Sequence, residues 1–264
     1  MSSVDTVDQD LHQLTRRFGG VGRLYGQAAQ QAFASAHIAI IGIGGVGSWV
    51  AEALARSGVG QLTLIDLDNV AISNTNRQVH ALEGSFGQAK VDAMAARIHA
   101  IHPACRVHAL EDFLSPDNLA ALLLDGPGGR PQLVIDAMDQ VRTKAALVAW
   151  CRQQRLPLLV SGGAGGKQDP ALITHGDLAD TRQDPLLAKL RTLLRREHGY
   201  AKGGAGRMGV MCVYSTEPLQ QATECEVDGS AGLNCAGYGS AVVVTATVGL
   251  RLAALALQRL QGKR

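Results

Sequence analysis

The sequence predicts an α/β fold, a doubly wound and mostly parallel sheet. Three observations predict it. Short apolar runs alternate with stretches of helical period over about the first 160 residues, the pattern of strands covered by helices on both faces. One apolar run, Ile38–Ile41, leads straight into Gly42-Ile43-Gly44-Gly45-Val46-Gly47-Ser48. A second run, Leu62–Ile65, ends on Asp66, 19 residues after Gly47. Together these mark a Rossmann-like nucleotide-binding half, followed by an elaborated C-terminal half.

Taken in order, Met1–Gln13 is polar and acidic and has no apolar signal core, so no secretion is expected. Gly26–Ser35 reads as a helix entering the first strand. Gly42 permits the tight turn after that strand, Gly44 lets backbone approach a phosphate, and Gly47 lets the following helix, Ser48–Arg56, pack close. Gln88–Ile101 has the helical period through Val91, Met94, Ala95 and Ile98, and His102-Pro103 stops it. Arg106–Leu110 is a short strand, Pro116–Leu124 a helix, and Asp125–Gly129 a turn cluster. Leu133–Ala137 is a buried strand, Val141–Gln154 a helix and Leu156–Val160 a strand. Beyond Ser161 the pattern loosens: a strand at Ala171–His175, a helix from Asp184-Pro185 to about His198, a mobile Gly199–Gly209 and a strand at Val210–Ser215. Residues 216–239 read as loop, and Ala241–Gln258 as a closing helix.

Composition narrows the class. A chain of 264 residues that is 46% hydrophobic can bury a full core. The net charge of +2 does not by itself announce nucleic acid, although Lys189–Arg207 is locally basic and suits either a solvated helix face or an RNA contact. Five cysteines without any CxxC fit reduced cytosolic thiols, and no structural zinc is expected. The apolar stretch Ala241–Leu257 approaches membrane-spanning length, but Arg251 and its small residues suit a helix packed inside the domain. Cytoplasmic location is expected, with membrane association through 241–257 the weaker alternative.

The residues after the glycine loop bear on the ligand. Asp66 suits the hydroxyls of a ribose. A second acid, Asp68, and the polar segment Ser73-Asn74-Thr75-Asn76-Arg77-Gln78 follow, then Lys90 at the start of a helix. Arg77 and Lys90 supply phosphate ligands, which favours ATP over a dinucleotide. An NAD-dependent dehydrogenase rests on the glycine loop alone.

Gly42–Gly47, Asp66-Leu67-Asp68, Ser73–Arg77, Lys90 and Asp136–Asp139 together resemble the ubiquitin-activating-type adenylyltransferases, which include the activators of the molybdopterin and thiamine sulfur carriers. Arg17–Gly26, Gln183–Leu186, Cys212–Glu217 and Gly237–Thr247 look like the tRNA threonylcarbamoyladenosine dehydratase branch, whose likeness runs nearly end to end. The resemblance implies one domain over 1–264, with an ATP-binding half at 17–160 and a substrate and dimer half at 161–264. It implies that Gly42, Gly44, Gly45 and Gly47 cradle ATP phosphates and that Asp66, with Asp68 beside it, lies at the ribose. Asn74, Arg77 and Lys90 would bind the triphosphate, and Asp139 would help hold Mg²⁺. Arg23 resembles the arginine that family dimers insert into the neighbouring subunit, with Arg17 as the fallback. Cys212 lies where a functional thiol could sit, while buried cysteine is ordinarily a small hydrophobe.

The activity implied is activation of the carboxylate of threonylcarbamoyladenosine in tRNA, followed by ring closure. A homodimer, a Na⁺ or K⁺ ion, and a cysteine desulfurase or sulfur-acceptor partner are further expectations. Activation of the C-terminal glycine of a ubiquitin-like sulfur carrier shares the first step and is the alternative. A non-catalytic nucleotide-binding scaffold is a third possibility.

Overall fold

The computed structural model describes residues 3–200, 206–220 and 238–262. A seven-stranded sheet runs in the order β3-β2-β1-β4-β5-β7-β6. Its strands are β1 (His37–Ile41), β2 (Gln61–Ile65), β3 (Arg106–Leu110), β4 (Leu133–Asp136), β5 (Leu158–Ser161), β6 (Ile173–Asp177) and β7 (Met211–Ser215). All neighbours pair in parallel except β6 on β7. β1 lies between β2 and β4, so chain direction across the sheet reverses there. A crevice opens at the carboxyl ends of strands at such a switch point, and the glycine loop begins at that place.

Every residue of β1 is buried, because both faces are covered. Ile38 and Ile40 face a core shared with α2 (Gln27–Ser35), α3 (Gly47–Arg56), α4 (Lys90–Ile101) and α8 (Val242–Leu260). Ala39 and Ile41 face the opposite core, with α5 (Leu119–Leu123) and α6 (Val141–Gln153). A third cluster joins α6 and α7 (Pro185–Glu197) to β5 and β7. The predicted double winding is therefore present.

Two elements depart from the sequence reading. Helix α1 (Ser3–Tyr25) continues through Gly19, Gly20 and Gly22, where sequence placed no helix before Gly26. Glycine's low propensity hides it, and tertiary contacts hold it: Phe18 packs edge-on to His102 at 4.8 Å, and Arg17 Nη1 donates to the Ile101 carbonyl at 3.0 Å. The strand expected at Ala171–His175 starts later, because Pro170–Leu172 forms a 3₁₀ turn, and it runs antiparallel as the edge strand β6. Much of the Gly199–Gly209 segment and most of the 216–239 loop lie outside the described residues.

Helix α8 is long and apolar enough to cross a membrane, with a mean hydropathy of 1.4. In this fold its apolar side packs on α3. A Cβ at Gly249 would come within 2.7 Å of the Val46 carbonyl and 2.9 Å of Trp49 Cβ, so only glycine allows the two helices to approach this closely.

Candidate nucleotide-binding site

The glycine loop divides its labour. Gly42 has φ of +85°, and a Cβ there would meet the Ala137 carbonyl at 3.0 Å. A Cβ at Gly47 would fall 1.8 Å from the Gly42 oxygen. These two glycines are required by the protein's own packing. Around Gly44 only Gln78 Nε2 comes near, at 3.9 Å, so that backbone is open to an approaching ligand. Residue Val46 precedes α3 without any side-chain cap, and among the described residues the amides of Gly44 to Gly47 have no hydrogen-bond partner. Unsatisfied amides at a helix N-terminus form an anion site.

Asp66 sits at the end of β2 and buttresses this loop. Its Oδ2 accepts from the Ile43 amide at 2.6 Å and its Oδ1 from the Asp68 amide at 2.9 Å. Burial pushes its carboxyl upward, opposed by Lys90 and by those two amides. Lys90 Nζ lies 2.6 Å from Asp68 Oδ2 and 3.7 Å from Asp66 Oδ1. A short antiparallel pairing delivers it: Asn69 bridges Ala89, Val70 N donates to Gln88 O at 2.8 Å, and Lys90 N donates to Asp68 O at 3.0 Å. Glu52 of α3 takes Arg97 of α4 at 2.7 Å, which ties the two helices below the loop. Lys90 is a buried cation at a helix N-terminus, where the dipole disfavours it. Such a local conflict is characteristic of a functional position.

Arg77 reaches the loop from the other side. A Cβ at Gly45 would meet Arg77 Cγ at 3.2 Å, so its side chain lies over the loop. Its guanidinium donates to the Ser73 carbonyl at 2.9 Å, while its own carbonyl accepts from Trp49 Nε1 at 3.0 Å and Thr245 Oγ1 at 3.4 Å. Asn74 is buried in a 3₁₀ turn with its Oδ1 accepting from the Ala71 amide at 3.0 Å, so that oxygen serves the turn. Gln78, Trp49 and Thr245 escaped the sequence reading. Only Gln78 had a local signal, its place next to Arg77.

A buried ion pair supports the opposite wall. Lys144 Nζ lies 2.9 Å from Asp136 Oδ1, both side chains are fully buried, and Lys144 also donates to the Ser161 carbonyl at 3.2 Å. Asp136 Oδ1 accepts from the Met138 amide at 3.0 Å, making the turn that abuts Gly42 and carries half-buried Asp139 to the rim. Burial raises the Asp136 carboxyl despite Lys144. Lys144 reads in sequence as an ordinary helix lysine.

Not every candidate converges. Arg23 is exposed near the end of α1 and makes no contact with the glycine loop within this chain. Arg17 is engaged with Ile101. Cys212, the candidate thiol, sits within β7, fully buried, and burial drives its thiol well above the ordinary range. A protonated, enclosed thiol is not a nucleophile. Cys225 and Cys235 lie outside the described residues. Among the described residues no group of three or more His, Cys, Asp or Glu side chains could hold a metal.

A nucleotide-phosphate cradle at the switch point, flanked by Lys90 and Arg77, defines an adenylate-forming class, and the chain belongs to the ThiF family, which it matches over residues 20–264. Within it, the chain groups with the tRNA threonylcarbamoyladenosine dehydratases. It is 50% identical over 257 residues to that dehydratase of Escherichia coli (strain K12), covering 94% of each. A crystal structure of the E. coli enzyme in complex with ATP matches with a TM-score of 0.84 and 49% identity, covering 94% of this chain and 95% of that one. The E. coli molybdopterin-synthase adenylyltransferase is 32% identical over 157 residues, 60% of each chain.

Proposed function

We propose that this protein carries out the ATP-dependent dehydration of N6-threonylcarbamoyladenosine beside the anticodon of tRNA, closing the side chain to its cyclic form. The observation that carries the reading is the meeting of Lys90, Asp66 and Arg77 on the open amides of the glycine loop, in a chain alike nearly end to end to a dehydratase. The substrate carboxylate attacks the α-phosphorus of ATP and pyrophosphate leaves. The carbamoyl group then attacks the acyl carbon and expels AMP, so one water is lost overall. Lys90 and Arg77 stabilise the charge that develops at phosphorus, in a site already organised to do so. The attacking group is tethered in the substrate, so no enzyme nucleophile is needed, in keeping with buried Cys212.

In this reading Asp66 also receives the ribose, Asn74 contributes its amide nitrogen to the phosphates, and Asp139 holds Mg²⁺, which neutralises phosphate charge. Arg23 acts in the site of a second copy within a homodimer. Its neighbour Leu24, 77% exposed, suits burial against that copy. The carbonyls of Gln183 and Glu217, oxygens that suit Na⁺ or K⁺, are taken by the Lys167 ammonium, so we place no monovalent ion there. The enzyme works in the cytoplasm on tRNA, and a sulfur-transfer partner acts as accessory.

The test incubates the protein with ATP, Mg²⁺ and tRNA bearing or lacking threonylcarbamoyladenosine, followed by nucleoside mass spectrometry. Loss of one water from the modified nucleoside alone is expected. ATP–pyrophosphate exchange that needs a sulfur-carrier protein and ignores modified tRNA would overturn the assignment in favour of carrier activation.

A further inference from the structure

A cleft of about 420 Å³ runs between the start of α6 and the outer side of α7. It is lined by Arg142 on α6 and by Lys189, Thr192, Leu193 and Arg196 on α7. Lys189, Thr192 and Arg196 are three and four residues apart, so they form one stripe along the helix. All three cations are exposed, and among the described residues Arg142 and Lys189 form no ion pair. Glu197 pairs with Arg196 and its carboxyl is held down by Arg196, His198 and Arg142, and Asp139 lies at the nearby rim. Three cations against Glu197 and the nearby Asp139 leave a net positive groove on a chain that is nearly neutral. Its position is equally telling. Arg142 lies three residues beyond Asp139, so the cleft opens near the rim where β4 delivers the Asp139 turn.

We propose that this α6–α7 cleft is the track for the sugar–phosphate backbone of the substrate tRNA, with Arg142, Lys189 and Arg196 as its phosphate contacts. The inference rests on the tRNA reading above and adds where the polynucleotide lies. The cleft is open, positive and also lined by a hydroxyl and an aliphatic side chain. It offers a phosphate chain point charges without base-reading geometry, which fits a contact that positions rather than specifies. Binding along it brings a modified nucleotide to the Asp139 rim, while the ATP cradle is left to the glycine loop.

The test uses R142E, K189E and R196E, each as the full chain, with fluorescence anisotropy on an unmodified tRNA transcript across a KCl series. Each reversal should weaken binding about tenfold at low salt, the scale of a charge-assisted contact. It should also reduce the slope of log K against log[KCl] by about 0.7 to 0.9. ATP affinity should be unchanged. With threonylcarbamoyladenosine-bearing tRNA, KM should rise while kcat at saturation is retained. R259E, on the exposed side of α8, serves as a control for bulk charge and should leave tRNA binding as it was. Wild-type affinity and slope in the three groove variants overturn the inference, as does an equal loss in R259E. Failure of the wild-type protein itself to bind or convert modified tRNA overturns the underlying functional reading instead.

Discussion

Lys144→Met removes the ammonium that neutralises Asp136 and leaves a carboxylate sealed between β4 and α6. Both side chains have 0% exposure and lie 2.9 Å apart, so no water can replace the lost partner without opening the core. Breaking a buried pair from one side costs about 3–5 kcal/mol, and a domain is commonly stable by about 5–15 kcal/mol. The variant should thus lose about a fifth or more of its stability. The loss should depend on pH, with a sign fixed by the carboxyl. Burial already raises Asp136 above the ordinary 3.8, and without Lys144 it rises further. An acid whose folded pKa is raised takes up its proton more readily when folded. The resulting stabilisation is complete at low pH and fades as pH climbs through the folded pKa. The deficit should therefore be smaller at pH 5 than at pH 8 in urea unfolding followed by circular dichroism. Adding Asp136→Asn should recover much of the loss, because the stranded charge is gone. A deficit under about 1 kcal/mol, or one equal at both pH values, would refute the reasoning. ATP affinity should fall with stability, since Asp136 also holds the Met138 turn against Gly42.

Gly47→Ala should abolish ATP binding measured by calorimetry, because its methyl group would sit 1.8 Å from the Gly42 oxygen and must push the loop apart; near-normal affinity would dismiss the loop assignment. Cys212→Ala should keep kcat within about twofold, and native protein should resist iodoacetamide at this position, as expected of an enclosed thiol; a large kcat loss in a folded variant would restore the thiol to the chemistry. His37 and His80 are buried with pKa values lowered to about 4, so the unfolded chain binds more protons between about 4 and 6.5 and stability should fall as pH drops through that window. His80→Gln should flatten that fall, and an unchanged acid profile would show that His80 does not contribute to it.

Much of the first half was legible because its signals are local. The run Ile38–Ile41 into Gly42–Gly47 and the acid at Asp66 each depend on neighbours in sequence, and their geometry follows from a handful of residues. Arg77 and Lys90 were legible as ligand types, yet the devices that bring them in were not. Lys90 depends on the Asn69–Ala89 bridge, and Arg77 on Trp49 and Thr245, the latter 168 residues away. Lys144 and Asp136 look like a surface lysine and a turn cap until the fold shows that both are fully buried. The burial of Cys212 was hidden in the same way, since nothing in the residues near it announces it. Arg23 was legible only as a family position, and in the fold it stands exposed near the end of α1.

The close crossing at Gly249 has a consequence for how the molecule is made. The backbone that α8 presses on, Val46 to Val50, emerges from the ribosome roughly 200 residues before Gly249, and contacts so distant along the chain form slowly. For that interval the phosphate loop exists without the helix that braces it, and Arg77 lacks its hold on Thr245. A nascent chain should therefore be unable to grip nucleotide until synthesis is nearly finished. Premature termination anywhere before α8 would leave a product with the nucleotide-binding motif intact in sequence and inert in practice.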